Sequence, residues 1–190
     1  MHSKQANVEE FRRLLEKGSI QRAYRALIWY MIRLRSHCES ALADSAVSGL
    51  YQGHMDITYF AIFPTALKHH NLKMAIVFNY DTFRFEAWLA GRNRKVQRQY
   101  WELFKNHSWP RYRVVAPAKG VDSILECVLS SDFDLDDPDA LTSIIESATM
   151  AFINDIEGFL AGDRPPEMRK RPAPKRARPS SRSARDRNLA

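Results

Sequence analysis

Cysteine is nearly absent from this chain: Cys38 and Cys127 are the only two among 190 residues. Both sit inside apolar patterns and no short spacing links them, which argues against a disulfide framework, a zinc site and a cysteine nucleophile. Long apolar runs are missing too. No stretch approaches the roughly 18 residues that a membrane-spanning helix needs, and residues 1–10 contain no apolar core of the kind a signal peptide carries. No internal repeat is visible. Gly-x-Ser-x-Gly does not occur, so there is no nucleophile elbow, and neither a P-loop nor a dinucleotide glycine fingerprint is present. Together these absences predict a cytoplasmic protein of a reducing compartment, without a membrane partner, a metal or a cofactor.

Charge is what the chain does have, and its placement matters more than its sum. The net charge is +7, from 29 Lys/Arg and 22 Asp/Glu. Residues 163–190 hold ten Lys/Arg and three Asp/Glu, which already accounts for the whole excess; residues 1–162 hold 19 of each. The basic character therefore belongs to the C-terminal segment, which includes Pro165, Pro166, Pro172, Pro174 and Pro179 and has almost no apolar residues. Such a segment buries too little surface to offset ordering entropy, so it is expected to be a disordered tail. Its cations suit nucleic acid or another polyanion, bound weakly and with steep salt dependence, and in a nucleated cell they would also pass as an import signal. The plainer alternative is a solvated tail that aids solubility. The rest, residues 1–162, reads as one domain, long enough to bury roughly 70% of its unfolded surface without staples.

Within that domain the apolar spacing alternates between two periods. Residues 7–17 and about 20–43 read as helices, the first started by Asn7 with Glu10 three residues on. Residues 55–63, 73–79 and 82–89 read as strands, and the short link at 79–81 makes the last two a hairpin. A helix over about 94–106 follows Gly91 and a capping Asn93, and a short strand covers 112–115. Val121, Ile124, Leu125 and Val128 predict a helix over 121–130. A final helix over about 138–160 begins at Pro138. The expected fold is α+β in two layers, helices packed on a small, mostly antiparallel sheet of about four strands.

Four segments add a resemblance. QGHMDITYF at 52–60 and FRFEAWLAGRNRKVQRQYWELF at 83–104, with GVDSI at 120–124 and DIEGFL at 155–160, resemble a bacterial family of uncharacterised proteins, a domain of unknown function. The likeness spans about residues 7–160, leaves the basic segment outside it, and implies no activity, cofactor or catalytic residue.

Two constellations carry candidate chemistry. In the first, Arg92, Arg94 and Lys95, with Arg98 one turn later, crowd a helix start, where partial positive charge ordinarily favours acids. A bound anion would explain the crowding, held by backbone N–H groups and cations together; the plainer alternative is that the cations pair with Glu86 or Asp56 or extend into water. Trp88 and Trp101 lie close enough in sequence to offer a base or nucleotide a stacking surface, although aromatics among aliphatics are more often core. In the second, Asp56 and Thr58 on one strand and Arg84, Glu86 and Trp88 on another would share a polar sheet face and converge if the strands are neighbours. That cluster would suit acid–base or metal-assisted phosphodiester chemistry, but Trp88 stands where a nuclease-type site wants lysine, and one wet face is ordinary in an antiparallel sheet. His54 with Asp56 lacks a third metal ligand. The first constellation predicts a non-enzymatic module that binds an anionic ligand, either nucleic acid or a phosphorylated molecule. The second predicts a small enzyme using Asp56, Arg84 and Glu86.

Overall fold

Alternation on the strand that contains Glu86 organises the whole molecule. Phe85, Ala87 and Leu89 point to one side and are fully buried, while Arg84, Glu86 and Trp88 point to the other. The computed structural model describes residues 3–162, so the segment expected to be a disordered tail lies outside the described residues. Five helices and seven strands are formed among them. In chain order they are α1 (Lys4–Glu16), α2 (Ser19–Ala41), β1 (Ser45–Val47), β2 (Tyr51–Gln52), β3 (Ile57–Pro64), α3 (Thr65–His69), β4 (Leu72–Asn79), β5 (Arg84–Gly91), α4 (Arg94–Phe104), β6 (Arg113–Val114), β7 (Ser123–Ser130) and α5 (Pro138–Gly162).

All pairings are antiparallel. The strand order is β1-β3-β4-β5-β7-β6, with β2 also pairing β3. The fold is thus α+β as expected, with a sheet larger than the four strands anticipated. Part of the excess is the three-residue strand β1 and the two-residue strand β2, which fall between the expected second helix and first strand, where no strand is expected. They lie along the outer edge of β3, β2 against Thr58 and Tyr59 and β1 against Ile62, Phe63 and Pro64. The gap between them is closed by Ser48, whose N–H donates to the Ala61 carbonyl and whose Oγ accepts from the Ala61 N–H, at 2.8 and 2.9 Å.

The expected helix over 121–130 is instead the eight-residue strand β7, paired along β5. Its register shifts twice, between Phe85 and Glu86 and between Leu89 and Ala90 on β5. Each bulge admits one extra residue, Leu129 and Ile124, and both turn inward to the core. Those insertions break the period of two and leave apolar residues at spacings that imitate a helix.

Across the sheet the register stacks Phe60, Ile76, Ala87 and Cys127 in one row and Ile62, Met74, Leu89 and Leu125 in the next. These residues form one cluster with Tyr30, Met31 and Leu34 of α2, Leu67 of α3, Tyr100 and Phe104 of α4, and Ile145, Phe152 and Ile156 of α5. The helices with buried residues therefore cover a single face. Thr58, expected on the polar face, belongs here: it is opposite Phe78, is buried, and shares a 3.2 Å hydrogen bond with the Tyr80 hydroxyl. α1 has no buried residue and is capped by Ser3, whose side chain accepts from the Ala6 N–H, rather than by Asn7.

Candidate functional site

No helix among the described residues packs on the opposite face of the sheet. Its rows run Tyr59, Val77, Glu86, Val128 and then Ala61, Ala75, Trp88, Glu126, with Lys73 beside Ala90 next to the second row. Val77, Ala75 and Ala61 are buried all the same. Small residues here lie between large ones in the register. Tyr59 is half-buried and its ring meets that of Tyr51 at 5.0 Å.

Glu86 stands in the middle of this face with only 2% of its surface exposed. An unpaired carboxylate there would be costly, but three donors from its own strand and turn surround it. Arg84 Nε donates to Oε1 at 2.6 Å, Thr82 Oγ1 to the same oxygen at 3.1 Å, and Trp88 Nε1 to Oε2 at 2.7 Å. Burial raises the carboxyl's pKa, but the hydrogen bonds from Arg84, Trp88 and Thr82, with the guanidinium charge, outweigh it and hold the group below the ordinary carboxylate value. Glu86 is therefore a fixed anion that orients Trp88 and Arg84.

The structure does not bring Asp56 to Glu86. Asp56 precedes β3, two strands from β5, and its carboxylate closes the turn that opens β3 by accepting from the Ile57 N–H at 2.7 Å. That bond lowers its pKa, and the turn leaves no room for a side chain at Gly53, whose Cβ would stand 2.1 Å from the Asp56 carboxylate. No cluster of three or more His, Cys, Asp or Glu able to hold a metal occurs among the described residues.

Of the cations expected to cluster at the end of β5, Arg92, Arg94 and Arg98 line clefts there and Lys95 does not. Gly91 lets the chain turn directly into α4; a Cβ there would come within 2.7 Å of the Gln97 backbone nitrogen. Asn93 caps the helix by accepting from the Val96 N–H at 3.0 Å. Gln97, almost fully buried, donates to the carbonyls of Val121 and Ser123 at 2.9 and 3.1 Å and so ties α4 to the start of β7. Arg94 joins this tie: it donates to the Gln97 side chain at 2.8 Å and to the Val121 carbonyl, and pairs with Asp122 at 3.4 Å.

Two adjoining clefts share Arg94. One, of about 210 Å³, is lined by Lys73, Gly91, Arg92, Asn93, Arg94, Gln97 and Asp122. The other, of about 330 Å³, is lined by Arg94, Arg98, Pro117, Ala118 and Lys119. Sequence reading missed Lys73 and Lys119, which β4 and the loop before β7 bring in from a distance. Lys73, Arg92, Lys95, Arg98 and Lys119 form no ion pair with any described residue.

A third cleft, of about 360 Å³ beside Glu86, offers a contrast. Each of its arginines has a carboxylate: Arg84 with Glu86, Arg111 with Asp155, and Arg113 with Glu126 at 2.5 Å. Trp88 and Trp101 do not form one stacking surface. Trp88 is on the open face, whereas Trp101 is on α4 on the helix-covered side, with the Lys105 ammonium 4.5 Å from its ring centroid.

No helix among the described residues is long and apolar enough to cross a membrane. No curated protein and no solved structure matches the chain. A family model does match it over residues 4–160, and the chain accordingly belongs to the family described as a domain of unknown function (DUF7000).

Proposed function

We propose that this protein is a non-enzymatic binding module for a phosphate-bearing anion, with its site at the start of α4. The observation that carries this reading is the gathering of Lys73, Arg92, Arg98 and Lys119 around two adjoining clefts without a carboxylate partner among the described residues. Elsewhere in the domain Arg33, Arg35, Arg84, Arg111 and Arg113 are each matched by an acid, and the other cations without one, such as Lys17, Arg22 and Lys68, line neither cleft. Unmatched cations repel one another and a helix start adds partial positive charge, so an anion relieves both. The one acid in the clefts, Asp122, is paired with Arg94. Basic residues at 169–171, 175–176 and 178 would add a sequence-independent attraction for polyanions in a cytoplasmic setting.

The enzyme alternative gains less. Both Glu86 oxygens already accept hydrogen bonds, and the carboxylate is better suited to fixing Trp88 and Arg84 than to exchanging a proton. The test is thermal unfolding of the full chain with inorganic tripolyphosphate. A ligand at ten times its Kd should raise the Tm of a domain of this size by roughly 3 °C. The combined substitution Arg92→Ala, Arg98→Ala and Lys119→Ala should abolish the rise and leave the basic C-terminal segment untouched; an undiminished rise in that variant would refute the site.

A further inference from the structure

The cationic clefts and the open sheet face are one continuous surface. Lys73 lines the cleft with Arg92 and also lies opposite Ala90 on β5. Trp88 is two residues before Ala90 and faces the same way, so Lys73 and Trp88 are diagonal cross-strand neighbours, roughly 7–8 Å apart at Cα. Beyond Trp88 lie Ala75 and Val77, and beyond those stands Tyr59 on β3, two strands across and one pleat repeat along, roughly 12 Å away at Cα. Tyr51, 48% exposed on the edge strand β2, extends the aromatic border.

From this juxtaposition we infer that the phosphate-bearing ligand is single-stranded nucleic acid: one backbone phosphate sits at Lys73 and Arg92, and successive bases lie on Trp88 and Tyr59. The inference rests on the anion-binding reading above and adds the ligand's class. Three features select a strand over a mononucleotide. Trp88 and Tyr59 stand too far apart for one ring to lie on both, which suits two bases of a strand better than a single ring. The face is open, whereas small ligands are held in enclosed pockets. The excess positive charge lies at the border of the aromatic surface, the arrangement that tracks a backbone while bases stack. Base faces are alike in their π-surface, so binding should tolerate sequence changes. Glu86, by accepting from Trp88 Nε1, fixes the indole in place before a base arrives.

The test compares, on the full chain, an oligothymidylate of about twelve nucleotides with an abasic phosphodiester strand of the same length and charge. Fluorescence anisotropy should show the oligothymidylate binding at least tenfold more tightly. Tyr59→Leu and Trp88→Leu should each weaken oligothymidylate about five- to a hundredfold and leave the abasic strand unaffected, the range expected for one stacked base. Trp88→Phe, which keeps a ring, should restore part of the loss. Tyr59 makes no side-chain hydrogen bond to any described residue, so Tyr59→Leu is read independently of any loss of the Trp88–Glu86 bond, and circular dichroism checks that both variants remain folded. Equal affinity for the two strands would overturn the stacking inference and leave anion binding intact. Failure of both strands and of tripolyphosphate to bind would overturn both.

Discussion

The two faces of the sheet are buried by different means. On the covered face Phe78 is enclosed by a second layer, with edge-on contacts to Tyr80, Phe83, Phe85 and Phe133 at ring separations of 4.9 to 5.8 Å. On the open face Val77, its immediate neighbour in sequence, is just as inaccessible, yet it lies outside the core cluster that the helices close. On the covered side Thr58 is paired with the Tyr80 hydroxyl, whereas Thr149 Oγ1 of α5 is buried with no partner among the described residues. The open face holds a carboxylate at its centre because the strand and its turn supply the donors locally. Zero exposure thus occurs in two settings: inside the cluster closed by the helices, and on the sheet face outside it.

The largest expected break of that contrast is Phe78→Ala. Removing an aromatic ring from the packed layer should cost about 4 kcal/mol in denaturant unfolding. Val77→Ala should cost about 1 kcal/mol, because the surrounding side chains can settle into the space. Similar losses at the two positions would show that the open face is as rigidly packed as the core.

A smaller effect is expected at Glu86. Glu86→Ala strips the partners from Arg84 and Trp88 and should cost about 2–3 kcal/mol, the range for hydrogen bonds to a charged group. Because the folded carboxyl titrates below its ordinary 4.5, its contribution is complete above that pH and disappears as pH falls through the lower folded value. Wild type and Glu86→Gln should therefore differ in Tm at neutral pH and converge below about pH 4.5. A constant gap down to pH 3 would mean that the ionised group contributes nothing.

The smallest effect should come from the unmatched cations. Lys95→Ala and Arg98→Ala should change stability by less than about 0.5 kcal/mol, as for exposed positions without partners. A loss above about 1 kcal/mol would show that these side chains hold the fold and would weaken the case for a ligand.

Much of this is legible in the amino-acid order, though unevenly. β5 is read correctly because Phe85, Ala87 and Leu89 keep strict alternation, and α5 because its apolar stripe runs uninterrupted from Leu141 to Leu160. β7 is misread because Ile124 and Leu129 are bulge insertions whose inward turn depends on a partner strand. β1 and β2 are too short to carry a period and exist only through pairing with β3. At the candidate site, the cations of 92–98 stand together in sequence and are found directly. Lys73 and Lys119 join them only after folding. The burial of Glu86 is hidden by its place on the face that alternation labels polar. A signal was present: Thr82, Arg84 and Trp88, at four and two residues before and two after it, all carry donors.

Ser48 has a consequence for how this molecule meets others. Long strands with free backbone edges recruit further strands and so seed uncontrolled association. Here β3 is fenced by two fragments joined through one serine, and β7 is flanked by the two-residue strand β6. Neither of the long outer strands offers an uninterrupted ladder of backbone groups. The geometry discourages growth of the sheet sideways and leaves its broad surface as the direction of approach.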